Sequence, residues 1–538
     1  MKGECLVKEI QMKNFRSLKD TGMQTLSPIT ILVGENSSGK STFLRAFPLL
    51  KQSISKRTSG PILWAGDVDD YVDFGSFEET VTNDESDKVV FAFGFNLRTE
   101  TSIPRYYIFD EDTDDVNVVD QIKPDYEKTK VHYELTIASS DGKDRVSSLS
   151  LSINSANVIF NFDKDDVTMQ TVDCLWYFSN QSSSENKLNQ NRHYGRFQVG
   201  SKVFGFRIPN VDYLWDRVKA SFGKTQNEGM DIYNLRQLIV PIGLKLTTGK
   251  KLSYIGESKK YPSSYIDLYN KFVLILENDS DGHLKEIIQL LAIYSIFPSI
   301  DDYIFTYFKQ VHYIAPLRAT AERYYRLRNL AIDEVDYQGK NLPIFINSLS
   351  TQQLKKFQAW TDEHFGFSVI TDKSKGHLSL QIKLRNSDKQ INLSDTGFGY
   401  SQVLPIITQL WELSTRKRTT ATSYADRNQR IPLVIAIEQP ELHLHPAIQA
   451  RLAKAFIACI DLARKNKNEL QLIIETHSET IVNYFGRAIS RKQLKPEDVS
   501  LIMFEKHAGD SVTTVRNSSY DVDGFLTNWP YGFFDSEE

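Results

Sequence analysis

The nine residues GENSSGKST, at 34–42, constrain the fold more than any other stretch of the chain. They match G-x-x-x-x-G-K-[ST]. The apolar, β-branched run PITILVG (28–34) precedes them, and FLRAFPLLKQSI (43–54) follows with helix-like apolar spacing. Strand, turn and helix together predict an α/β P-loop fold. Gly34 and Gly39 let the backbone curl, so that N–H groups along Glu35, Asn36, Ser37 and Ser38 turn inward to phosphate oxygens. The helix N-terminus at Ser41 and Thr42 adds a positive partial charge. Lys40 is placed to reach the β- and γ-phosphates of ATP, and the Ser41 hydroxyl to bind Mg²⁺. Pro48 is expected to bend or shorten the helix.

A second stretch, LVIAIEQPELHLHP (433–446), ends an apolar run in Glu438. A carboxylate at a strand end beside a phosphate loop is the expected metal-side acid. Gln439 then stands where many ATP-splitting enzymes place a second carboxylate. A carboxamide is neutral and a far weaker base, although it can orient water. Glu441 is the nearest alternative source of a carboxylate.

A length of 538 residues predicts two or three domains, and 41% hydrophobic content is enough for a large core. The net charge of −4 excludes a wholly basic nucleic-acid coat protein but not a local basic groove. Three widely spaced cysteines, Cys5, Cys174 and Cys459, support neither a disulfide frame nor a zinc site. No apolar run reads as long as the roughly 18 residues of a membrane span, and the N-terminus lacks a signal-peptide core. The expectation is a cytoplasmic protein with no membrane contact.

Along the chain, residues 1–75 read as one half of a nucleotide-binding head and 311–505 as the other. Residues 76–310 read as an insertion, first strands (about 88–207) and then helices (210–310). The acidic run DEDTDD (110–115) reads as a solvated loop. Residues 506–538 form a tail. No heptads predict coiled-coil arms. Basic runs at RATAERYYRLR (318–328), TRKRTT (415–420) and ARKNKN (463–468) are candidates for DNA contact.

The ordered set GENSSGKST, GFGYSQVLPI (397–406), IEQPELHLHP (437–446) and IIETHSETI (473–481) resembles the ABC-type ATPase head, in the branch shared by SMC, Rad50, RecF and OLD proteins. The resemblance implies a homodimer closed around ATP and Mg²⁺. It puts the signature at Gly397, Gly399, Ser401 and Gln402, which would reach the γ-phosphate held by the other subunit. It makes His445 part of the D-loop, His477 the switch histidine, Arg16 a nucleotide contact and Gln439 the occupant of the catalytic-base position, so slow turnover is expected. OLD proteins carry a Toprim nuclease after the switch histidine, and too few residues follow His477 here for one. The closing WPYGFFDSEE resembles the end of ATPases that carry a domain of unknown function. One subset of the branch, the ATPase subunit PtuA of Septu and certain retron anti-phage systems, works with a separate HNH nuclease. Retron versions add a reverse transcriptase and its RNA–DNA product. A RecF- or Rad50-like repair ATPase that binds DNA directly and an OLD-like ATPase with its own nuclease are the alternatives. A transporter's ATPase subunit fits least.

Overall fold

A computed structural model of the chain describes residues 7–82, 87–100, 126–162, 166–171, 175–179, 194–199, 202–207, 218, 232–249, 251–256, 263–280, 282–326, 332, 334–374, 376–416, 431–506 and 512–529. The loop expected at 110–115, and the basic residues at 417–420 and Arg328, lie outside them.

The head is built on a seven-stranded sheet. Its order is Val311–Ile314, Leu433–Glu438, Leu470–Glu475, Ile29–Gly34, Val499–Glu505, Thr514–Tyr520 and Leu526–Thr527. The first five strands run parallel, so their C-terminal ends share one edge. The last three form an antiparallel run. The parallel strands are apolar on both faces because both faces are covered. Val434 and Ala436 join the core that contains the phosphate-loop helix Lys40–Ser55. Ile435 and Ile437 join the opposite core, formed with helices Phe398–Thr415, Pro446–Lys465 and Glu479–Ser490. Helix Lys40–Ser55 runs straight through the position of Pro48, so the expected shortening does not occur. Pro48 is buried among apolar neighbours on that helix, and their packing offsets the lost hydrogen bond.

The antiparallel region is not a self-contained insertion. Strand Val7–Phe15 leaves the head and pairs antiparallel with Lys88–Glu100, in a nine-stranded sheet that continues through residues 126–179. The first boundary therefore cuts through a sheet whose pairing is set before the phosphate loop is reached. Helix His283–Lys309 joins this sheet to the head. Phe308 packs on Phe47 of the phosphate-loop helix and on Phe93 of the sheet, and Tyr303 stacks on Phe95. By length and composition, Leu284–Lys309 is apolar enough to cross a membrane, contrary to the sequence expectation. Its apolar surface is spent on the sheet and the head, since 69% of the apolar window is buried inside the protein.

Candidate nucleotide and metal site

The site lies on the edge where the parallel strands end. Gly34 closes its strand so tightly that a Cβ there would stand 2.2 Å from the Phe504 carbonyl oxygen of the adjacent strand. Gly39 holds a left-handed φ of 96° at the start of the helix, and Ser37 takes φ 61° despite its side chain. The turn is thus strained at a side-chain-bearing residue, as functional loops often are. Gly34→Ala is expected to cost about 1–3 kcal/mol by overpacking and to displace the cradle. Thermal unfolding and nucleotide titration of the same variant check both effects.

Lys40 is buried and folded over the loop. Its Nζ donates to the Gly34 carbonyl at 2.9 Å and to the Glu35 carbonyl. Burial lowers its pKa, opposed by Glu475, Glu35 and Glu441. Asn36 is exposed, Ser38 is fully buried, and Thr42 sits in the first helical turn. Arg16 is exposed at φ 54° on the turn that touches the loop through Ser17, and its guanidinium lies 5.4 Å from the Phe74 ring centre.

The two strand-end carboxylates have different partners. Glu438 is 1% exposed. Its Oε1 accepts from Arg45 Nε at 2.7 Å and from the Tyr313 hydroxyl at 2.7 Å, and its Oε2 accepts from Arg45 Nη2 at 2.8 Å. That bidentate pair raises the Arg45 pKa. The carboxylate touching Ser41 is instead Glu475, whose Oε1 accepts from the serine hydroxyl at 2.7 Å. Glu475 ends the strand between Glu438 and the phosphate loop, and the sequence reading did not single it out. Burial pushes its carboxyl up to about 7, with Glu438 adding to the effect.

Gln439 is half-buried at φ 42°, and its N–H donates to the Glu475 carbonyl at 2.9 Å. Its side-chain amide has no hydrogen-bond partner among the described residues. Glu441 accepts from Thr476 Oγ1 at 2.8 Å and from the His477 N–H at 2.7 Å, tying the loop after the acidic strand to the segment that carries His477. Burial raises the Glu441 pKa. The His477 side chain is exposed, and partial burial together with Lys40 holds its pKa below the usual value, so it is neutral at pH 7. Arg318 was read only as a DNA-contact candidate. It is 5% exposed and donates to the Glu438 carbonyl at 2.9 Å, and its Nε and Nη1 are buried without a partner. Burial lowers its pKa, yet it stays charged at neutral pH.

The residues expected at the signature divide between inward and outward positions. Ser401 and Gln402 are turned inward, donating to the Phe398 and Arg318 carbonyls. Helix Phe398–Thr415 starts at Gly397, and its first apolar turn draws Ser401 and Gln402 into the core. Gly397, Phe398 and Ser394 are exposed, and Gly399 is half-buried. Ser394 was missed although Leu393–Ser394 starts the segment as a Leu-Ser-Gly-Gly signature would. Phe398 meets His443 at 6.0 Å between ring centres, and His445 is exposed beside it, capping helix Pro446–Lys465. Ser394, Gly397 and Phe398 thus share one exposed face with His443 and His445. Two of the basic candidates are engaged by acids. Arg323 pairs with Asp395 at 2.7 Å and Arg464 with Asp498 at 2.6 Å.

Among the described residues, no three His, Cys, Asp or Glu side chains gather closely enough to hold a metal alone. A metal here would share its ligands with phosphate, as Mg²⁺ does. Ser41 and a carboxylate with an unpartnered buried oxygen fit that demand.

The AAA ATPase domain family matches residues 6–482. A family of proteins of unknown function, DUF3696, matches residues 494–538, the segment with the recognised closing sequence. No curated protein matches the chain. Similar solved structures include an SMC head bound to the C-terminal winged-helix domain of ScpA, at 12% identity and TM-score 0.33, covering 96% of this chain and 98% of that one. The SMC head domain from Thermotoga maritima is another, at 9% identity and TM-score 0.31, covering 95% and 97%.

Proposed function

The chain belongs to the AAA ATPase domain family, and from that premise we propose that it closes as a homodimer around ATP and Mg²⁺, hydrolyses ATP slowly, and through the closed state controls a partner nuclease in bacterial anti-phage defence. The observation that carries the dimer is the shared exposed face. Ser394, Gly397 and Phe398 stand beside His443 and His445, and His477 is exposed at the same strand edge as the cradle. Small residues ahead of a helix N-terminus suit close approach to a phosphate held by another copy.

Slow turnover follows from Gln439. The defence role, the HNH nuclease and the reverse transcriptase with its RNA–DNA product rest on the resemblance of the motif order and the closing segment. Control of a partner is favoured over a direct DNA clamp, because Arg323 and Arg464 are already paired with carboxylates.

With ATP and Mg²⁺, the apparent mass is expected to double from 61.7 kDa. Ser394→Arg, which places bulk on the exposed face, is expected to abolish the doubling. A mass that ignores ATP defeats the clamp. Purification of the tagged chain from its native cells tests the partner: a nuclease at fixed stoichiometry supports the reading, and its absence from an otherwise intact complex overturns it.

A further inference from the structure

We propose that Arg318 is a phosphate-binding residue, whose guanidinium contacts the terminal phosphate of the nucleotide held by the same chain, through N–H groups that have no partner within the protein. This role rests on the ATPase reading above and gives the phosphate a second cation beside Lys40.

Arg318 breaks the usual pattern of burial. It is 5% exposed, whereas Leu317 beside it is 71% exposed. A loop that turns an arginine inward and a leucine outward loses apolar burial and desolvates a charge. Among the described residues, no carboxylate pairs with the guanidinium. Nη2 donates to the Glu438 carbonyl at 2.9 Å and to the Gln439 carbonyl at 3.4 Å, while Nε and Nη1 are buried without a partner. Burial lowers the Arg318 pKa to about 10, opposed through space by Glu441, Tyr313 and Glu438, so the side chain remains a cation at neutral pH. A buried charge with donors to spare is costly, and an anionic ligand accounts for it.

The place in the fold says which anion. Strand Val311–Ile314 runs parallel to Leu433–Glu438, with Ile314 paired to Ile437, so the loop after Ile314 leaves on the edge where Gly34 and Glu438 end their strands. Arg318 is four residues into that loop. The carbonyls it holds belong to Glu438 and Gln439. The Gln439 N–H is held in turn by the Glu475 carbonyl, and the Glu475 carboxylate meets Ser41 of the phosphate loop. Glu441 acts on both Arg318 and Lys40. The guanidinium therefore borders the cradle on the side where Gln439 stands.

Arg318 is also fixed in advance. Its carbonyl accepts from Gln402 Nε2 at 3.3 Å, so helix Phe398–Thr415 holds its backbone while the acidic strand holds Nη2. A guanidinium is planar, permanently charged and rich in donors, which suits phosphate oxygens. Phosphoryl transfer relies on stabilising charge at the transferred group, and a preorganised arginine supplies that without moving a proton.

The test compares wild type, Arg318→Gln and Arg318→Lys in the full chain. The readout is the preference for a non-hydrolysable ATP analogue over ADP, both with Mg²⁺, by calorimetric titration. R318Q keeps a donor for the Glu438 carbonyl and removes the charge. Its ADP affinity is expected to hold, while its affinity for the analogue falls about 10–100-fold, as a lost hydrogen bond to a charged group implies. R318K offers the charge as a point on a flexible stem and is expected to lose a smaller part of the preference. The fall is expected to persist in the Ser394→Arg background, because the contact lies within one chain; a fall that vanishes there overturns the proposal. So does an unchanged preference in R318Q, and so does an equal fall for ADP and analogue, which marks a strut for the acidic strand. If R318Q does not fold, R318K decides: a wild-type preference overturns the role, and a reduced preference with ADP affinity intact supports it. Wild type that binds neither nucleotide defeats the ATPase reading itself, whereas wild type that binds both equally defeats the role of Arg318 alone.

Discussion

Replacing Gln439 with glutamate raises ATP turnover by about 100-fold, toward the lower end of the 10²–10⁴ range for a positioned general base. The lower end applies because phosphoryl transfer depends mostly on positioning and charge stabilisation, and an amide can position water without acting as a base. The backbone holds Gln439 at the end of the acidic strand. Gln439 leaves the acidic strand at φ 42°, with its N–H held by the Glu475 carbonyl. Its amide is uncommitted, so a carboxylate in its place is free to accept a proton. That carboxylate joins Glu438, Glu441 and Glu475 in a crowded acidic site. Arg318 offsets the crowding, with two guanidinium nitrogens buried and unpartnered beside the same backbone. Steady-state phosphate release measures the gain, and the lifetime of the ATP-closed dimer should shorten in step. A variant no faster than wild type removes Gln439 from the base position.

The phosphate loop was legible because its signal is local. GENSSGKST, its strand and its helix are contiguous, and the structure keeps all three. Glu475 was not legible for a topological reason. In IIETHS it reads as the last residue of a buried strand, and only the sheet order puts that strand between Glu438 and the loop. Arg45 and Tyr313 were hidden likewise, since each reads as an ordinary residue of its own element and meets Glu438 across distant sequence. Strand Val7–Phe15 alternated visibly, but its partner, Lys88–Glu100, lies beyond the head's first helix. Periodicity gives a strand its faces and says nothing of its neighbour. The segment Gly397–Gln402 leads into a helix as read, yet which of its small residues face outward depended on where that helix starts.

Arg45→Met should destabilise the protein by about 3 kcal/mol, the lower part of the range for breaking a buried ion pair. The lower part applies because the Arg45 side chain is 39% exposed, so water already shares its charge, while that of Glu438 is 2% exposed and cannot be rehydrated in place. Tyr313 still donates to Glu438 Oε1 in the variant, but one hydrogen bond from a neutral hydroxyl, worth about 1.5–3 kcal/mol to a charged acceptor, does not replace a bidentate guanidinium. The double variant R45M/E438Q should recover most of the loss, because the stranded charge is then gone. Denaturant unfolding of wild type, both singles and the double gives the coupling energy directly. A coupling near zero would mean that Arg45 and Glu438 do not depend on each other. A large coupling ties the helix that starts at Lys40 to the strand that ends at Glu438, and makes that bond the hinge pin between the phosphate cradle and the loop carrying Gln439.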